Sequence, residues 1–146
     1  MIKFLKIFII IIYVINFNNI SFGDKNFYTE GLKLFNSKKY EEAKFLFERN
    51  IVFDPKHSKS YLYLAKIYKE KKDRAKEEKN LDTALLIDPA NEEAILMLME
   101  FGLEKTNYSK VKELSERFSK VCEKLCNENE KILKELRNLE PQNNES

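Results

Sequence analysis

Glycine and proline are nearly missing from this chain, with three of each among 146 residues. Tight β-turns and hairpins lean on those two residue types, so a fold built on sheets is poorly provided for. Histidine occurs once, at position 57, and cysteine twice, at 122 and 126, which leaves few side chains for a metal or acid–base centre. Also absent is the basic stripe that phosphate backbones require. The chain has 26 basic and 24 acidic side chains. The excess of two lies in the first 23 residues, which hold Lys3 and Lys6 and no acid. The remainder is formally neutral, and nucleic acid is not expected as a partner.

What is present is Lys, Glu, Leu and Ala in abundance, with 34% charged and 43% hydrophobic residues. That balance reads as helices around a thin core with much wet surface, in one domain. The first 23 residues depart from it. Lys3 and Lys6 precede an apolar run ending at Ile15, Asn16, Asn18 and Asn19 close the run, and Ser21 and Gly23 sit at −3 and −1 of a cut before Asp24. Positive start, apolar middle and small residues before the cut are the pattern of a signal peptide. The run from Phe4 to Ile15 falls short of the roughly 20 residues that span a bilayer. Residues 1–23 are therefore expected to be a signal peptide, with a membrane anchor over residues 4–20 as the alternative. Export would place the chain in the periplasm or another extracytoplasmic space. Membrane contact would arise only through an uncleaved N-terminus. Lipid attachment is not expected, since position 24 is Asp rather than Cys.

The rest of the sequence repeats. Ile51-Val52-Phe53-Asp54-Pro55 returns as Leu85-Leu86-Ile87-Asp88-Pro89, 34 residues on. The same step aligns Phe27 with Tyr61, Gly31 with Ala65, Leu34 with Tyr68, Phe47 with Leu81 and Asn50 with Ala84. A period of that length marks a stack of helix-turn-helix units. Phe27 and Leu34, then Tyr61, Leu64 and Tyr68, give each first helix an apolar face. Gly31 and Ala65 are small where two helices of one hairpin cross, and Asp-Pro ends each second helix. Helices are expected at about 26–36, 40–53, 58–71, 74–87, 91–104, 108–121 and 127–139.

In this pattern the chain resembles a tetratricopeptide repeat (TPR) protein. The first repeat carries Phe27, Gly31, Leu34, Tyr40, Ala43, Phe47 and Pro55 on signature positions, and the second carries Tyr61, Leu64, Ala65, Tyr68, Leu81, Ala84 and Pro89. Glu30 and Glu77 depart from it. A third repeat fits through Ile95, Leu98, Tyr108, Val111 and Phe118, while Gly102 and Ser115 match poorly. The resemblance implies an all-α, right-handed superhelical stack with repeats at about 24–57, 58–91 and 92–126. A capping helix over 127–139, with Ile132, Leu133, Leu136 and Leu139 on one face, and a disordered polar tail over 141–146 would follow.

The resemblance also implies a binding scaffold rather than an enzyme, with no cofactor and no metal. In such proteins the first helices line a concave face. By register that face takes Lys25, Tyr28, Leu32, Phe35 and Asn36 from the first repeat. It takes Lys59, Leu62, Lys66 and Lys69 from the second, and Leu96, Glu100 and Leu103 from the third. An apolar floor with lysines along the middle suits a protein or peptide segment with apolar anchors and an acidic group. Some relatives grip a carboxylate tail with an Asn/Lys clamp, but Thr29 and Leu32 stand where amides are needed, so that mode is not expected. Two alternatives stay open: the last helix fills the groove, or the chain is a structural module whose convex face or C-terminal helix joins copies, driven by Leu133 and Leu136. The oligomeric state is not legible. Cys122 and Cys126 either form a disulfide, if the chain turns near Cys126, or are two small buried residues. His57 is expected to be a surface loop residue.

Overall fold

The computed structural model describes residues 26–140; the proposed signal segment, Lys25 and the tail from 141 lie outside the described residues. Among the described residues seven helices follow one another: α1 Phe27–Asn36, α2 Tyr40–Phe53, α3 Ser58–Glu70, α4 Arg74–Ile87, α5 Glu92–Glu104, α6 Tyr108–Val121 and α7 Cys126–Leu139. Consecutive helices pack as a stack of TPR-like hairpins, α1/α2, α3/α4 and α5/α6, and α7 packs on α6 and α5. Among the described residues there is no strand, and no helix is long and apolar enough to cross a membrane.

The turns repeat as faithfully as the helices. Each first helix ends on a left-handed residue, Lys38, Lys72 or Thr106, at φ 58°, 58° and 56°. The next residue closes the same loop each time: the N–H groups of Lys39, Asp73 and Asn107 donate to the carbonyls of Leu34, Tyr68 and Gly102 at 2.9, 3.0 and 2.8 Å. This satisfies carbonyls that the helix end leaves bare. Asp73 and Asn107 then cap the second helices, accepting from the N–H groups of Lys76 and Lys110. The Asp-Pro stops work alike too, with Asp54 and Asp88 accepting from the N–H groups of Lys56 and Ala90.

Packing inside each hairpin depends on a small residue facing a large one. A Cβ on Gly31 would stand 2.8 Å from Phe47 Cε1, and Phe47 is fully buried. One repeat on, Ala65 and Leu81 hold the same two positions, both fully buried. In the third hairpin the sizes are reversed: Met99, fully buried, takes the first position and Ser115 the second. A neighbouring pair behaves likewise in the first and third hairpins. Gly102 allows Val111 Cγ2 within 2.7 Å of where its Cβ would be, whereas the matching residues earlier are Leu34 with Ala43 and Tyr68 with Glu77. Gly102 and Ser115 match the family pattern poorly because their partners have changed size with them.

Three sequence expectations need correction or completion. His57 is not a loose surface residue. It is half-buried, caps α3 by accepting from the Ser60 N–H, and packs against Tyr28 with 4.5 Å between ring centroids. Leu136 is buried and Leu133 partly so, both in the core shared with α5 and α6, so Leu136 is not available to join copies and Leu133 only in part. Cys122 and Cys126 are disulfide-bonded across the break between α6 and α7, with Cα atoms 5.3 Å apart. The regular helix that would have strained the bridge ends at Val121.

Glu92, at the start of α5, holds that same break. Its carboxylate accepts from the backbone N–H groups of Glu123 at 3.1 Å, Lys124 at 3.1 Å and Leu125 at 2.7 Å. These bonds, above all that from Leu125, hold its pKa below the usual glutamate value. A depressed carboxylate stabilises the fold above its unfolded pKa and loses that contribution as pH falls through the folded one. In an acid titration followed by NMR, the amide signals of 123–125 should move with a midpoint below the ordinary value of about 4.3. A midpoint at or above that value contradicts the bonding.

The crossing makes a second test. Gly31→Ala should destabilise by about 1–3 kcal/mol in urea denaturation, because buried Phe47 cannot yield. Adding Phe47→Leu should recover part of the loss, since it recreates the Ala/Leu pair of the second hairpin. No cost from Gly31→Ala alone means the crossing is looser than described.

Candidate functional site

The concave face carries two unlike halves. At the α1–α3 junction Tyr28, Leu32 and Phe35 are half-buried and pack on the smaller of two core clusters, which contains Phe47, Leu64, Ile67 and Tyr68. Tyr63 completes this patch: its ring lies 5.0 Å from Phe35, 5.3 Å from Phe47 and 6.0 Å from Tyr28. Burial, with Tyr63 and Glu93 nearby, pushes the Tyr28 hydroxyl up to about 12, so it stays protonated at neutral pH. Sequence reasoning missed Tyr63. It stands four residues after Lys59 and three before Lys66, on the same face, and that spacing was the available signal.

The other half is closed. Leu62, Leu96 and Leu103, expected on an open floor, are only 4%, 7% and 5% exposed. They belong to the larger core cluster, together with Ile132 and Leu136 of α7. Docking of α7 on α5 and α6 therefore accompanies loss of the floor at that end.

The lysines are also unlike one another. Lys66 Nζ pairs with Glu93 at 2.6 Å and lies 4.4 Å from the Tyr63 ring centre. Lys69 Nζ pairs with Glu100 at 2.7 Å. Lys59 is exposed and forms no ion pair among the described residues. An incoming carboxylate can meet Lys59 directly but must displace Glu93 or Glu100 to reach the others. Such half-exposed pairs contribute about 0–1 kcal/mol, so displacement costs little.

Beyond Lys69, where the second hairpin meets the third, lies a stronger cluster. Glu77, on a position where the family has a small residue, is 1% exposed. Burial raises its pKa, and the neighbouring Arg74 works against that. Arg74 pairs with Glu77 at 2.5 Å, also pairs with Glu104 of the third hairpin, and stacks on Phe101 at 4.7 Å. The buried carboxylate is thus held by a bridge between repeats. On the opposite, second-helix face lies a depression of about 580 Å³ lined by Asp82, Leu86, Lys110, Glu113 and Arg117 among others. Its charges are mixed and favour no single sign of ligand.

No family model matches the sequence, and no curated protein matches it. The fold is nonetheless shared with solved TPR domains. It is similar to the first TPR domain of Spaghetti (RPAP3) bound to the HSP90 peptide SRMEEVD, with 21% identity over 76% of this chain and 90% of that one, TM-score 0.63. The yeast Sti1 TPR2B domain, in a complex with pHsp70, matches at 13% identity over 80% and 97%, TM-score 0.71. The Yersinia enterocolitica type III secretion chaperone SycD, with a peptide of the translocator YopD, matches at 16% over 84% and 96%, TM-score 0.69. The chain therefore has the architecture of a TPR domain, the class whose solved members bind peptides and protein partners in these three cases.

The charges divide into cheap and costly ones. Arg74→Ala should cost roughly 3 kcal/mol in thermal or urea denaturation, because it strands the Glu77 carboxylate. Adding Glu77→Ala should restore most of that. Lys69→Ala should cost less than about 1 kcal/mol. Equal effects from Arg74→Ala and Lys69→Ala would contradict this ranking.

Proposed function

We propose that this chain is an exported scaffold that captures a protein or peptide segment on the α1–α3 half of its concave face, as an adaptor in an envelope-associated assembly. The observation that carries the reading is the patch of Tyr28, Leu32, Phe35 and Tyr63, half-buried beside exposed Lys59, at the end of the face away from α7. Aromatic rings of this kind supply large contact area with few rotatable bonds. Lys59 would take the acidic group and the patch the apolar anchor. The solved neighbours that carry peptides support the class of function, and the signal-like first 23 residues support export. No catalytic role is proposed.

The test begins with cross-linked capture by the tagged full chain from the cell envelope, followed by calorimetry with the captured segment. Lys59→Glu and Leu32→Ser should each weaken the segment by about tenfold, a loss of about 1.4 kcal/mol. Unchanged affinity in both variants removes the groove from consideration. Fractionation decides export separately: the chain should begin at Asp24 and lie outside the cytoplasm, and an intact Met1 in the cytosol overturns that part.

A second reading has its own support. Val52 and Leu86, one repeat apart, are 76% and 82% exposed, and Phe45 and Phe53 are exposed as well. An apolar second-helix face fits a module that joins copies of itself. Sedimentation at high micromolar concentration should then show association that Val52→Ser with Leu86→Ser abolishes.

A further inference from the structure

The link between α6 and α7 carries two restraints that meet on the same residues. The disulfide closes it from Cys122 to Cys126. Within that loop the N–H groups of Glu123, Lys124 and Leu125 converge on one carboxylate, that of Glu92. Successive backbone N–H groups that converge in this way form an anion-binding nest. Their convergence depends on the shape of the loop, and the disulfide fixes that shape. Below the link, Ile132 and Leu136 of α7 are buried in one cluster with Leu96 and Leu103. The same cluster includes Val111, Leu114 and Phe118 of α6, and a polar tie from Ser115 through Asn129 to Ser119 joins α6 and α7 as well.

We propose that Cys122–Cys126 and Glu92 form a redox-gated latch that holds α7 on α5 and α6. With the disulfide intact the nest is shaped and α7 stays seated. With it reduced, the loop relaxes, the three N–H groups no longer point at Glu92 together, and α7 lifts far more often from its apolar seat. The chemistry has a direction. Cys126 is exposed, whereas Cys122 is half-buried against the core, so a thiolate from a dithiol reductant reaches the Cys126 sulfur first. A mixed disulfide forms there and the Cys122 sulfur leaves as a thiolate, then takes a proton. The second thiol of the reductant closes its own disulfide and releases Cys126 as a thiol. Two electrons and two protons pass to the chain, and one dithiol is oxidised. The latch lies at the end of the array opposite the aromatic patch, so it stands whether or not that patch binds a segment.

Hydrogen exchange of the full chain, read by mass spectrometry with and without dithiothreitol, tests it. Reduction should raise exchange in 126–139 by about tenfold while α3 and α4 keep their protection, a local opening rather than global unfolding. Glu92→Gln in the oxidised chain should have a similar effect. The two together should give clearly less than the product of their separate effects, because each works through the other. A chain with Cys122→Ser and Cys126→Ser should match the reduced protein and ignore dithiothreitol. Identical exchange of α7 in both redox states overturns the proposal. So does loosening of all helices together, or effects of reduction and Glu92→Gln that multiply in full.

Discussion

The distance between the two helices of a hairpin rests on what stands at their crossing, and the rest of the array inherits that distance. Interiors pack nearly as densely as crystals of small molecules, so two large residues cannot share the crossing and two small ones would leave a void. The chain meets this condition three ways: Gly31 with Phe47, Ala65 with Leu81 and Met99 with Ser115. The adjoining pair follows suit in two hairpins, with Leu34 and Ala43 and with Gly102 and Val111, whereas the second hairpin has Tyr68 and Glu77 there, the Glu77 carboxylate being held by Arg74. The first helix carries the smaller residue at the first crossing in two hairpins and the larger in the third. What persists at the first crossing is the complementarity of each pair, which neither residue shows alone.

That explains which parts of the fold were legible in the sequence. Helix bounds came through to within about a residue or two, because apolar spacing and the Asp54-Pro55 and Asp88-Pro89 stops act locally. The third repeat read as worn because Gly102 and Ser115 were weighed singly, against a pattern, and not beside Val111 and Met99. The hairpin turns gave little signal either. Their left-handed positions hold Lys38, Lys72 and Thr106 where glycine or asparagine would have announced them. His57 looked like a loop residue because histidine is not among the usual capping residues, and its packing on Tyr28 exists only once α1 and α3 are side by side.

The candidate site was less legible than the fold, for a reason set by the period. Its decisive contacts join residues about one repeat apart: Lys66 with Glu93, Lys69 with Glu100, Arg74 with Glu104 and Glu92 with the backbone of 123–125. Helical spacing places each partner on the proper face of its own helix but says nothing about pairing across helices. A lysine row read from α3 alone therefore looked open, although α5 supplies a carboxylate for two of its members. The same ignorance of neighbours put Leu62, Leu96 and Leu103 on a floor that the stack in fact buries.

The two core clusters now bear on where a partner would bind. The larger is mostly aliphatic and closed by α7, with Met99, Ile95, Val111 and Phe118 fully buried within it. A ligand arriving there would have to displace a docked helix, and with it the burial of Ile132 and Leu136. The smaller cluster is built from rings, and three of its side chains, Tyr28, Phe35 and Tyr63, are only half-covered. These rings already hold one another at 5–6 Å, so a ligand finds a surface whose side-chain entropy has largely been spent in folding. Burial of the exposed ring area then adds roughly 25 cal/mol per Å² with little ordering cost to offset it. The asymmetry of the array, closed at one end and aromatic at the other, thus favours capture at the α1–α3 junction and leaves the α5–α7 end as its anchor.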